Sequence, residues 1–137
     1  MAKLNSIISF PNAEELSRSR PTSATLYSSV RKQTDTLVEN LSAEDQMVQS
    51  CPDASPAKWH LAHTTWFFET FILLPHALGY RAFDERFTYV FNSYYKQVGG
   101  HPMRANRGLM SRPSLEEVSA YRAHVDEAMI ALLERGV

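Results

Sequence analysis

Residues Ser55 to Glu69, SPAKWHLAHTTWFFE, constrain the fold more than any other stretch of the chain. Ser55 is placed to accept from first-turn amides, and Pro56 falls at the first helical position, where a missing N–H is tolerated. The spacing predicts a helix from there to about Leu74, ended by Pro75. Trp59, His63, Trp66 and Thr70 recur at i, i+4, i+7 and i+11, so one face presents two indoles around an imidazole. A histidine held among aromatics on an inward-facing helix either hydrogen-bonds a core partner or ligates a metal. The pattern alone leaves both open.

The rest of the chain reads as helical around this segment. Residues 1–20 are polar, interrupted at Pro11, and expected to form a loosely ordered leader. A first long helix is predicted over 22–41, with Leu26, Val30, Gln33, Leu37 and Leu41 as its inner stripe. Ser42 and Asp45 spell a capping box that opens one short turn. Residues 79–86 form a connector. Residues 88–98 mix β-branched and aromatic side chains; a short helix is expected because the surroundings are helical. A long loop over 99–113 leads to the last helix. Ser114 and Glu117 cap that helix, Val118, Tyr121, Val125, Ala128 and Leu132 line it, and Gly136 stops it. The architecture is all-α: one partial domain over 21–137, with three main antiparallel helices plus short pieces in an incomplete up-down bundle.

Composition excludes several classes. A net charge of −1, from 14 cations and 15 acids, gives no reason to expect nucleic acid or an anionic membrane as partner. Tyr89, Phe91, Tyr94 and Tyr95 interleave with cations as a single-strand stacking platform would, but helical spacing buries about half of them. The longest apolar stretch, Trp66 to Pro75, is interrupted by Glu69 and Thr70 and is too short to span a bilayer. No apolar core of a secretion signal is evident. The single cysteine, Cys51, excludes an intrachain disulfide, suits the cytoplasm and reads as an ordinary buried or half-buried thiol.

Charge is unevenly placed. From Arg86 through Leu115 there is no Asp or Glu, yet Arg86, Lys96, Arg104, Arg107 and Arg112 are present. Such a run suits either an anion site, since guanidinium forks match carboxylates, or a solvated basic loop. No two of the five histidines are four apart. His60 lies about 60° around the helix from His63 and reads as structural or surface. His76 and His124 are expected to face solvent.

WHLAHTTWFFE, FNSYY (Phe91 to Tyr95) and RGLMSRPSLEEVSAYRAHVDEAM (Arg107 to Met129) occur in that order. Together they resemble the DinB-like N-terminal domain of ergothioneine-biosynthesis sulfoxide synthases, the EgtB family, over about residues 41–133. The resemblance implies a DinB-like bundle belonging to a non-haem Fe(II), O2-dependent enzyme. That enzyme joins a small-molecule, cysteine-type thiol to the imidazole of trimethylhistidine. It implies His63 as one of three histidine ligands of iron, and Arg104 with Arg107 as binders of the donor's carboxylates. Trp59, Trp66 and Phe67 become packing around the metal helix. The family's other two ligands, an HxxxH pair, and its larger second domain have no counterpart in the sequence. The chain is therefore expected to be the front portion of such an enzyme, inactive alone. The alternative is a non-catalytic helical module acting through self-association or a partner chain.

Overall fold

The computed structural model describes residues 20–136; all but the last residue of the expected leader lie outside that range. The described residues form helices and loops with no strand. Helix α1 spans Ser23–Val38 and α2 spans Ala57–Phe68. The latter continues through a π-helical turn, Glu69–Leu73, into α3, Leu74–His76. A short α4, Phe87–Val90, follows, then a 3₁₀ turn over Arg104–Leu109 and α5, Leu115–Glu134. Both α1 and α2 pack against α5, which makes three main helices plus short pieces. No helix among the described residues is long and apolar enough to cross a membrane.

The caps follow local rules. Ser114 Oγ accepts from the Glu117 amide at 3.1 Å, and the Glu117 carboxylate accepts from the Ser114 amide at 2.7 Å. Ser42 and Asp45 form the same reciprocal pair ahead of a 3₁₀ turn, Asp45–Met47. Gly136 takes φ +75 past the end of α5, a conformation glycine adopts without steric cost.

Three expectations about helix limits are corrected. The serine of the Ser-Pro pair does not cap α2: the N-cap is Pro56, and Ser55 Oγ is taken by Arg107. The helix does not stop at Leu74. The Leu74 amide reaches five residues back to the Glu69 carbonyl, and this wide turn precedes Pro75, which has no amide to donate. Over 88–98 only Phe87–Val90 is helical, and the remainder is turn and loop. Cys51, expected at least half-buried, is exposed.

The core gathers Trp59, Leu61, Ala62, Trp66 and Leu73 from the second helix with Val118, Tyr121, Val125, Met129 and Leu132 from α5. Full burial of side chains this large contributes about 1.5–3 kcal/mol each. On α1 the buried face is the neighbouring one to that expected: Tyr27 and Arg31 are buried, whereas Leu26 and Val30 are 52% and 59% exposed. Electrostatics selects the face. Arg31 Nε lies 2.7 Å from Asp126 Oδ1, Tyr27 donates to the same oxygen, and Arg31 also donates to Thr64 and Thr65. Arg122 answers from α5, donating to Asp35 and to the Leu61 carbonyl. Turning the apolar stripe inward would break these contacts, whose charge-assisted bonds are among the stronger ones a side chain makes.

Candidate functional site

His63 sits midway along α2 between the chain's two tryptophans. Its ring stacks on Trp59 at 4.6 Å between centroids and 14° between planes, and on Trp66 at 5.4 Å and 17°. Residues four before and three after His63 flank it on the same helical face, as the sequence spacing requires. The ring nitrogen Nδ1 lies 2.7 Å from the Phe91 carbonyl oxygen. A carbonyl can only accept, so Nδ1 carries the proton and Nε2 presents a bare lone pair. Burial lowers the pKa of the imidazole, the Phe91 bond opposes the shift, and the Arg107 charge adds to it. The ring is held neutral in the tautomer that a metal ligand needs, with the carbonyl as its orienting partner.

FNSYY is the other half of the site, and the structure gives each of its residues a contact. The Phe91 carbonyl fixes His63. Asn92, fully buried, donates to the carbonyls of Tyr95, Gly99 and Gly100 and so holds the following loop together. Ser93 Oγ accepts from Arg107 at 2.9 Å. Tyr94 takes φ +63, uncommon for an aromatic residue, and its ring lies under the Arg104 guanidinium at 5.3 Å. Tyr95 packs against Trp66, Phe67 and Phe71. Just ahead of the motif, the Val90 carbonyl accepts from the Trp59 indole at 3.4 Å.

Arg107 closes the cluster. It is 3% exposed, its guanidinium carbon lies 3.5 Å above the Trp59 ring, and its Nη atoms donate to Ser55 and Ser93. Burial and repulsion from Arg104 lower its pKa, though a guanidinium stays charged at neutral pH. Arg104 is half-buried and reaches the Asp53 carbonyl at 3.4 Å. Neither arginine joins an ion pair among the described residues, whereas Arg86 pairs with Asp84 and Arg112 lies 4.0 Å from Glu117. Of the run's five cations, Lys96, Arg104 and Arg107 join no ion pair among the described residues, and the two arginines lie in this cluster. His60 lies edge-on to Trp59 with much of its surface exposed; partial desolvation against the protein, followed by the same two arginines, lowers its pKa. His76 and His124 are exposed, as expected.

Three buried polar atoms here lack a hydrogen-bond partner: the Trp66 indole nitrogen, Arg107 Nε and Asn92 Oδ1. All three belong to side chains that are almost wholly enclosed, so they face protein rather than an open surface. The donor set for a metal is short. Among the described residues no three of His, Cys, Asp and Glu come together as a metal-binding group, and His63 offers a single nitrogen.

Sequence reasoning singled out His63 and the arginine pair as candidates but gave no sign of the groups that orient them. Ser55 was assigned to a cap, Ser93 to no role, and Gln49 carried no signal. FNSYY stood out only as a matching block. In comparison with known families, the model described as the DinB superfamily matches residues 26–136. No curated protein matches the chain.

Proposed function

We propose, from the premise that the chain belongs to the DinB superfamily, that it is the N-terminal portion of a non-haem Fe(II), O2-dependent sulfoxide synthase of the ergothioneine type. Such an enzyme forms a C–S bond between a cysteine-type thiol and the imidazole of trimethylhistidine. The observation that carries the reading is the state of His63: neutral, held by Phe91 through Nδ1, and free at Nε2. This is how a ligating imidazole is prepared.

His63 would hold the iron through Nε2; among the described residues no group of three or more His, Cys, Asp or Glu side chains comes together to complete its shell. When bound, ferrous iron would supply the O2-dependent oxidation of the thiol. The chain's own residues do the rest of what is assigned here. Trp59 and Trp66 keep water from both faces of the imidazole and fix its plane. Arg104 and Arg107 supply positive charge, uncompensated by any ion pair among the described residues, for the carboxylates of the donor. The chain is not expected to turn over alone.

An anaerobic Fe(II) titration beside His63→Ala tests the assignment. Both tryptophans stack on His63, so their fluorescence reports occupancy directly. Weak one-to-one quenching that disappears in the variant is expected, since a single imidazole leaves most of the shell to water. Identical isotherms for the two proteins would remove His63 from the reading.

One observation favours the second reading, a non-catalytic module acting through self-association or a partner chain. Leu26 and Val30 are exposed beside a shallow cleft lined by Phe68, Ile72, Met129 and Leu133. Exposed apolar faces of this kind recruit partners.

A further inference from the structure

The turn that carries both arginines spans Arg104–Leu109 and is 3₁₀, whose hydrogen-bond geometry is poorer than that of an α-helix. One side chain from outside the turn bonds its backbone at two points. Gln49, in the loop before α2, donates from Nε2 to the carbonyls of Arg104 and Ala54, each at 2.8 Å. Its Oε1 accepts from the Gly108 amide at 2.7 Å. The two contacts bracket the turn at Arg104 and Gly108, so the arginines project from a segment fixed at either side. The approach is close enough to exclude any side chain at position 108. A Cβ there would lie 2.6 Å from Gln49 Cβ and 2.8 Å from its Oε1. Arg104 itself rests on the same loop through the Asp53 carbonyl.

We propose that Gln49, seated against Gly108, is a positioning residue: it fixes the turn that carries Arg104 and the buried Arg107, and so presents the half-buried Arg104 to a carboxylate-bearing ligand. The proposal rests on the reading of the two arginines given above and adds the device that aims them. A neutral amide suits the task. It satisfies a donor and two acceptors of the backbone at once and places no negative charge beside the guanidinium groups, where an acid would compete with the ligand. Misplacing a binding group by about 1 Å is enough to weaken recognition severely.

The test follows the side-chain Nε–H resonances of Arg104 and Arg107 by NMR in the 137-residue chain, without and with γ-glutamylcysteine as a dicarboxylate probe. Gln49→Ala, Gly108→Ala, the double variant and Arg104→Met are compared. In Gln49→Ala both arginine resonances are expected to move before any probe is added. Probe affinity is expected to fall about tenfold while the amides of α2 and α5 stay in place. Gly108→Ala should do the same by displacing Gln49, and the double variant should be no weaker than Gln49→Ala, because the collision is then gone. Unmoved arginine resonances with affinity within about twofold of wild type in both single variants would overturn the positioning role. A wild-type chain that ignores the probe, with arginine resonances that still move in Gln49→Ala, would support the positioning of the turn and overturn the carboxylate reading instead.

Discussion

Tyr121 donates to Glu69 across 2.6 Å in the middle of the core, tying α5 to the π-helical turn that follows α2. Glu69 is 3% exposed and has no cation partner among the described residues; Tyr80 and the Phe83 amide also donate to it. Burial, first, and the carboxylate push both phenol pKa values well above their ordinary range, so both remain donors at any working pH. Removing one leaves the buried carboxylate short of a bond. Tyr121→Phe is expected to destabilise the fold by about 1–3 kcal/mol with an unchanged denaturant slope, and Tyr80→Phe by less, since its side is nearer solvent. Urea unfolding of the two variants measures both.

The α1–α5 contact should respond in the opposite sense to hydrophobic intuition. Asp126→Ala strands Arg31, which is buried, and removes the acceptor of Tyr27. A loss of about 2–3 kcal/mol is expected. Leu26→Gln, on the stripe that periodicity favours, is expected to change the stability of the isolated chain by no more than about 0.5 kcal/mol. Reversal of that order would mean that α1 packs through its aliphatic face.

These two contrasts show where the sequence is informative. The α5 cap, the Ser42 turn and the indole–imidazole face of α2 were legible because each follows from residues within a turn or two of one another. The buried face of α1 was not. Arg31 and Tyr27 look like surface residues until Asp126, about a hundred positions on, supplies the counter-charge. Ser55 fails as a cap for the same kind of reason: its hydroxyl has a partner 52 residues away. His63 as a candidate ligand was visible in the pattern. Its tautomer was not, because that depends on a backbone carbonyl that carries no sequence signature.

The lowered pKa of His63 gives a pH dependence with a definite sign. The folded state disfavours the imidazolium, so below the unfolded value of about 6.5 the unfolded chain binds a proton that the folded chain resists. The His63 contribution is therefore intact above about pH 6.5 and is lost as pH falls from there to the folded pKa. The slope approaches about 1.4 kcal/mol per pH unit while only the unfolded chain takes up the proton. His63→Gln should flatten this acid-side decline relative to wild type. Unfolding free energies at several pH values between 5 and 8 decide it, and parallel curves would show that the folded ring titrates normally.

The exposed face of α1 makes a last, separable prediction. Leu26 and Val30 flank a cleft whose walls are Phe68, Ile72, Met129 and Leu133, so a second apolar surface could be buried there without disturbing the Arg31–Asp126 contact beneath. Sedimentation of the wild-type chain is expected to show mass rising with concentration, and Leu26→Glu with Val30→Glu is expected to abolish the rise. A charge on that face must be desolvated on association but stays hydrated in the monomer, so the double variant should keep its helical signal and its unfolding midpoint. His63-dependent Fe(II) quenching in that monomeric variant would separate the two functions proposed for the molecule, with the His63 face of α2 working independently of the apolar face of α1. Loss of the quenching together with the association would place the two faces in one assembled site.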